Sequence, residues 1–534
     1  MTSSTSLPPL RAAGATIDDP RRRRAILITV CIALMAVIAS VSGLNVAQQE
    51  IALAFDASQG TVLWIINTYT ISLAALLLPL GAVGDRWGRR PVLLTGLIIF
   101  GLASAAAGVA TSSAVMIAAR LLSGVGAAMI MPVTLAVITS TFPDGERSRA
   151  IGVWTGVAGG GGILGMYLSA ILVDLASWRW LFVLPVALVV VAVGMALRTV
   201  PDLREESPRG FDTVGALASV VAAVGLTFVL HEGPARGWTA PVTLLSLLVG
   251  VIGSAGFVAW ELRRPAPLLD VRLFRKRGLA GGSVTLLVVF GVQAGIFVVL
   301  FPYFQAVLGW SGLRSTLALM PMALLMMLAS GLAPRVAARA GARPTMASGI
   351  LLSGAGLALM AAFVSVDGGY RSVLPGMLAM GLGMGLAMTP STEAITTALP
   401  RARQGVASAL NDVTRELGTA LGVALLGAVL SAGYRDAIDA RLDDAPDAAA
   451  RAAREGIANA LAAADGANAQ ALIRAAQESF VEGWQHAMWA GAGVMTALLV
   501  YVVAFGPRRP ADAERPVEDE RPVDGERPAE DERP

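Results

Sequence analysis

Three charged residues interrupt an otherwise apolar run in the segment GVASALNDVTRELGTALGVALLGAVL: Asp412, Arg415 and Glu416. In a helix, Asp412 and Glu416 share one face at the four-residue spacing, and Arg415 stands beside them at the three-residue spacing. Counted at about 1.5 Å per residue from the inner edge of the run, Asp412 lies about 10 Å deep and Glu416 about 16 Å, near the middle of a layer about 30 Å thick. An isolated carboxylate at that depth costs at least ~2.5 kcal/mol to insert, so it faces water, carries a proton or pairs with the arginine. Two readings stand side by side: a carrier that takes up and releases a proton, and a fixed ion-pair network that packs helices together. Arg120, about 10 Å into its own apolar run, is equally unfit to face lipid.

The elements that must hold these groups follow from composition. The chain has 534 residues, 55% hydrophobic and 15% charged, with positive mean hydropathy. A soluble core would need more polar cover, so the fold class expected is an all-α integral membrane protein. Apolar runs of roughly 20 residues recur about fourteen times, each long enough to cross the hydrocarbon as a helix. The first follows RRRR and is too long for the apolar part of a signal peptide, which makes it a retained span. Cations concentrate in the loops after even-numbered spans, such as DRWGRRP, PDGERSRA and ELRRPAPLLDVRLFRKRG, which places those loops and both termini in the cytoplasm.

The expected organisation is an N-terminal tail over 1–24, a six-span bundle over 25–199, and two inserted spans with a cytoplasmic linker over 200–278. A second six-span bundle follows over 279–506. Within it, the Ala-rich stretch 434–480 reads as an outer loop of one or two amphipathic helices. The Pro- and charge-rich near-repeat over 507–534 cannot bury a core and is expected to be disordered. After span 2 the chain reads DRWGRRPVLLTG, and after span 10 VAARAGARPTMASG, with Gly341, Arg343 and Pro344 echoing Gly88, Arg90 and Pro91. Such an echo is the mark of duplicated halves.

Several functions drop out. The single Cys31 allows no intramolecular disulfide and no thiolate metal site, and His231 and His486 lack ligand spacing. The only lysine, Lys276, stands in FRKRG, outside any phosphate-binding G-x-x-x-x-G-K-[ST] loop. No metal, cofactor, ATP, nucleic acid or catalytic role is expected; the partners are the lipid bilayer, a small-molecule substrate and protons. In GAVGDRWGRR, the arginines Arg86, Arg89 and Arg90 hold a tight loop in the cytoplasm, and Gly84 and Gly88 permit its turn. Asp85 adds nothing to orientation. It suits a latch that accepts hydrogen bonds from a neighbouring helix N-terminus and ties one half of a transporter to the other.

This stretch resembles the G-x-x-x-D-R-x-G-R-R signature of the major facilitator superfamily, and fourteen spans carrying it resemble that family's drug:proton antiporter branch. The resemblance extends over about 25–506 through AARLLSGVGAAMIMPVTLAVI in span 4, ERSRAIGVW after it, WRWLF at span 6 and the span 13 segment. It implies two six-helix pseudo-repeats plus two inserted central spans, and export of amphipathic drugs, antibiotics or metabolites by proton antiport with alternating access. A metabolite carrier or uniporter of the same fold is the alternative, and a membrane receptor or enzyme a more distant one. Arg120 matches the family's buried arginine, tied there to proton transfer; the other reading is a structural arginine bonded to carbonyls. Gly81, Asp85, Arg86, Gly88, Arg89, Arg90, Glu146 and Arg147 match the latch motif.

Two departures qualify the match. Ser40 stands where the branch usually carries a span 1 aspartate, so a fixed anion for cationic drugs is missing. In GGGGILGMYLSA of span 5, Met166, Ser169 and Ala170 replace the proline and last glycines of the antiporter motif. Neutral polar residues expected at cavity depth are Ser40, Asn45, Asn67, Tyr69, Gln293, Tyr303 and Asn411, with Gln305 nearby. An Ala- and Arg-rich composition with one lysine suits a high-GC bacterium, and hence its inner membrane.

Overall fold

The computed structural model describes residues 16–203, 210–442, 446–464 and 469–507. The tail beyond 507 and the first fifteen residues, expected to be terminal extensions, lie outside the described residues. Fourteen helices are long and apolar enough to cross a membrane, and no strand occurs among the described residues. Numbered in chain order, the spans are 1 (Pro20–Val46), 2 (Gln59–Trp87), 3 (Arg89–Gly108), 4 (Ser113–Thr141), 5 (Asp144–Leu175), 6 (Val183–Thr199) and 7 (Thr213–Arg236). They continue as 8 (Pro241–Glu261), 9 (Arg277–Pro302), 10 (Gly312–Ala340), 11 (Ala342–Phe363), 12 (Gly369–Thr397), 13 (Gln404–Asp439) and 14 (Ala469–Phe505). Several begin at side-chain caps: Ser58, Ser112, Asp212 and Ser311 each accept from the amide three residues on, relieving donors that lipid cannot satisfy.

Spans 1–6 pack into one bundle and spans 9–14 into another, while spans 7 and 8 form a hairpin whose first helix rests on spans 2 and 13. The bundles meet along spans 2 and 13 and along spans 5 and 10, with further contact of 4 on 13 and 5 on 12. Matching span 1 to 9, 2 to 10 and so on to 6 and 14 turns each of these pairs into another, so the interface has the two-fold character of a duplicated chain. The two loops that echo each other in sequence agree in backbone as well. Gly88 and Gly341 both sit between their second and third spans with φ of 107° and 99°, a region that disfavours every side chain. Gly84, expected to help this turn, instead lies inside span 2 with Val133 2.9 Å from where a Cβ would stand. Its small size serves packing rather than turning.

Helix continues further than hydropathy suggested over 434–480. Span 13 runs on to Asp439, span 14 begins at Ala469, and two short helices, Asp447–Glu455 and Ile457–Ala463, fill the interval. Alanine's high propensity sustains these helices, and their apolar faces are buried through Ala453, Ala460, Leu472, Ala476 and Phe480. The Tyr434 hydroxyl donates to the Ala453 carbonyl at 2.8 Å, and Arg474 pairs with Asp367 at 2.7 Å. Hydrogen bonding to Arg474 holds the exposed Asp367 carboxyl below its ordinary range, so this bridge stays charged through neutral pH.

Candidate functional site

A cavity of about 620 Å³ lies between the bundles. Span 1 contributes Val37 and Val41, span 4 Met131, span 5 Gly159 and Met166, span 9 Phe290, Gln293, Phe297 and Phe301, and span 13 Arg415, Glu416 and Thr419. The lining runs from mid-depth toward the face opposite the arginine-rich loops. Its walls are mostly apolar and aromatic, with a few polar groups concentrated on spans 9 and 13, the arrangement that buries an amphipathic molecule while orienting it.

The span 13 charges divide by depth and access. Glu416 borders the cavity, whereas Asp412 is fully buried behind it. Asn411 Nδ2 donates to Asp412 Oδ1 at 3.2 Å, and Arg415 Nη1 reaches the same oxygen at 3.4 Å. Asp412 Oδ2 has no hydrogen-bond partner among the described residues. An unpartnered buried carboxylate oxygen is a place where a proton can reside, because protonation turns an unsatisfied acceptor into a hydroxyl. Arg415 extends across the interface: Nη2 donates to the Ala158 carbonyl of span 5 at 3.4 Å. Its guanidinium lies 4.4 Å from the Phe290 ring centre and 5.4 Å from that of Trp154. One cation thus touches both bundles through aromatic faces that stabilise it in a dry setting.

Arg120 is buried at 1% exposure, and Nη1 donates to Ser40 Oγ at 2.9 Å. Its guanidinium lies 4.2 Å over the Tyr69 ring. No carboxylate forms an ion pair with it among the described residues, and its Nε and the Tyr69 hydroxyl have no hydrogen-bond partner. Ser40, expected from the resemblance to stand where the branch carries an aspartate, is the arginine's hydrogen-bond partner, and together they form a neutral-plus-cation pair.

At the arginine-rich face the bundles close on each other. Asp85 Oδ1 accepts from the Gly405 amide at 2.8 Å and Oδ2 from the Val406 amide at 3.1 Å, the first free donors of span 13. Arg89 Nη2 donates to Asp85 at 2.9 Å and to the Arg401 carbonyl at 3.2 Å, and its Nη1 binds Ser140. The approach is close because both sides are glycine: a Cβ on Gly81 would stand 2.6 Å from the Gly405 carbonyl oxygen and 2.7 Å from the Ala409 Cβ. On the other side of the interface, Arg401 pairs with Asp144 at 2.8 Å, Arg147 with Asp144 at 2.5 Å, and Ser148 donates to Glu393. Glu146 pairs instead with Arg23 of its own bundle at 2.8 Å. Arg90 donates to the Leu197 carbonyl at 2.6 Å, and Arg86 is exposed beside Asp85.

Of the seven polar residues expected at the cavity, Gln293 lines it. Ser40 is turned to Arg120, and Asn411 to Asp412. Tyr69 carries the cation, while Tyr303 donates to the Ser365 carbonyl at 3.0 Å and packs on Trp484 within the second bundle. Asn67 lies half-buried in span 2 outside the lining, and Asn45 falls in span 1 with its side chain outside the described residues. Glu393, Arg401 and Asp144 were not among the expected site residues. A lone acid in the last turns of span 12 was the available signal for Glu393.

Residues 29–423 match the family model described as Major Facilitator Superfamily. The chain is 30% identical over 494 residues to the multidrug efflux pump LfrA of Mycolicibacterium smegmatis, covering 92% of this chain and 96% of that one. It is 31% identical over 388 residues to the tetracenomycin C resistance and export protein of Streptomyces glaucescens, covering 72% and 71%. Among solved structures, the proton:xylose symporter XylE aligns with a TM-score of 0.59 over 91% of this chain and 96% of that one, at 14% identity. That last likeness is one of fold.

Proposed function

Because this chain belongs to the Major Facilitator Superfamily, we propose that it is a secondary active exporter of amphipathic small molecules, driven by proton antiport. Membership makes it a multi-pass membrane transporter, and similarity to efflux and export proteins over most of its length supports outward transport of drug-like compounds. We place the arginine-rich face and both ends of the helical region in the bacterial cytoplasm, on the positive-inside pattern of the loops. The described state is then open outward and shut inward, with Asp85, Arg89 and the Arg401–Asp144 pair as the bolt.

The observation that carries the coupling is the placing of Glu416 at the cavity wall with Asp412 behind it, both next to an arginine that touches the opposite bundle. A proton arriving from outside reaches the cavity, and Asp412, with one oxygen unpartnered, receives it. Protonation removes the negative charge that holds Arg415, which weakens its cationic tie between span 13 and span 5. The bundles can then rock, opening the inner face. There the proton leaves, Arg415 re-forms its pair, and substrate enters against the apolar wall. A cavity within the range of about 300–1,000 Å³ suits one drug-sized molecule.

A carrier without proton coupling is the second reading, favoured by Met166 in the cavity wall where the antiporter motif has proline. Inverted vesicles containing the purified chain distinguish the two. Export driven by an imposed pH gradient, lost on collapsing that gradient, is the expected result; gradient-independent exchange at the same rate supports the uncoupled carrier.

A further inference from the structure

Between spans 8 and 9 the chain runs LRRPAPLLDVRLFRKR over 262–277, with six cations and one acid. Orientation alone accounts for positive charge there, but not for the way this segment is built. It leaves span 8, which packs chiefly on span 7 and turns Leu245, Leu248, Val251 and Ile252 outward, so it emerges on the periphery of the helix bundle. It is ordered rather than looped out. Arg272 donates to the Leu262 carbonyl at 2.5 Å, its amide is capped by Asp270 at 3.1 Å, and Leu268 and Leu269 are buried. Trp260, at the end of span 8, donates to Asp212 at 3.0 Å with Arg264 stacked 5.2 Å from its ring.

On this frame Arg263, Arg275, Lys276 and Arg277 are exposed and form no ion pair among the described residues. Phe274 stands among them, 38% exposed. An apolar ring flanked by exposed cations, on a segment joining two membrane-span ends, fits the boundary between acyl chains and headgroups. The segment also touches the bolt. Arg403, the residue preceding span 13, donates to the Pro267 carbonyl at 3.5 Å, and the amides held by Asp85 are those of Gly405 and Val406.

We propose that residues 263–277 form a binding site for acidic phospholipid headgroups of the cytoplasmic leaflet, and that its occupancy steadies the start of span 13 through Pro267 and Arg403. The side of the membrane rests on the orientation proposed above; the chemistry, several exposed cations around an exposed aromatic ring, does not. Juxtamembrane clusters of four to eight cations attract acidic lipid in this way, each adding favourable free energy within a Debye length of the surface.

The test uses the purified full-length chain in vesicles of equal phosphatidylglycerol and phosphatidylcholine, with the lipids that remain bound on release counted by native mass spectrometry. Wild type is expected to retain phosphatidylglycerol preferentially, and the R275Q/K276Q/R277Q variant to lose on the order of tenfold or more of that selectivity. Raising salt should erode the wild-type preference. Equal retention of both lipids by wild type, which requires no variant to fold, overturns the proposal, as does unchanged selectivity in the triple variant. The lipid count needs no transport, so a chain that keeps its selectivity yet exports nothing supports this site and tells against the exporter reading instead. Asp270→Asn, which removes the segment's one acid, is expected to raise the selectivity.

Discussion

Asp412 and Glu416 stand one helical turn apart and answer to different surroundings. Asn at 412 can keep one carboxylate-like oxygen toward Asn411 and Arg415 but cannot take a proton, so Asp412→Asn is expected to abolish substrate-induced proton release while leaving substrate binding within a few-fold of wild type. Proton release from reconstituted vesicles, with ligand binding by fluorescence quenching, checks both halves; full pH-gradient-driven transport by Asp412→Asn and by Glu416→Gln alike shows the pair to be structural. Asp85→Asn keeps the chain inserted but weakens charge-assisted bonds worth about 1.5–3 kcal/mol, so export should slow by about tenfold or more. Wild-type turnover in that variant shows that the buried Asp85 contacts hold the interface without limiting transport. Much of this was legible in the sequence, because spacing inside a helix is fixed: Asp412, Arg415 and Glu416 had to be neighbours, and an acid within an arginine loop had to be explained. Pairings across the interface were not legible. Ser148 meets Glu393 and Arg401 meets Asp144 at separations of 245 and 257 residues, which no periodicity encodes. Nor can polarity in a span say whether a side chain faces the cavity, as Gln293 does, or a neighbouring helix, as Tyr303 does.

At the scale of helices, two glycine contacts make opposite predictions. Gly81 meets Gly405 across the bundle interface, whereas Gly422 meets Gly291 between spans 9 and 13 of one bundle. A Cβ at 422 would collide with backbone that stays packed throughout a rocking cycle. Gly422→Ala is therefore expected to cost about 1–3 kcal/mol and lower the unfolding temperature by several degrees. Gly81→Val collides only when the inner face is shut. Its melting temperature should stay near wild type while the inward-open population grows, seen as longer distances between spin labels placed on either side of that face. A fall in stability without a distance change would reassign Gly81 to ordinary packing. The two-fold relation sharpens the point, since Ala338 holds in span 10 the place of Asp85 in span 2. One side of the duplicated interface carries the carboxylate latch, and the other relies on Asp144, Arg401 and Glu393.

For the molecule as a whole, the chemistry of the cavity bears on what passes through it. Phe290, Phe297, Phe301 and Met131 dominate the wall, Glu416 is its acidic group, and Ser40 leaves Arg120 without an anion. Neutral or weakly charged amphipaths are expected to be exported in preference to permanent dications, whose desolvation a single carboxylate offsets only in part. Susceptibility of a pump-deficient bacterial host expressing the chain, measured against neutral, anionic and dicationic compounds, decides this. Strong resistance to dications with little to neutral compounds reverses it. Span 13 then has a mechanical meaning beyond its contacts. A helix of 36 residues is a stiff lever about 54 Å long, and if it pivots where Arg415 rests against span 5, its Gly405 end is about 15 Å from the fulcrum. A tilt of about 5° shifts that end by about 1.3 Å, enough to carry both Asp85 bonds past hydrogen-bonding distance, while the far arm at Asp439 sweeps about 3 Å. Proton site and bolt are parts of one rigid bar, so opening the inner face needs leverage and no relay of side chains between them.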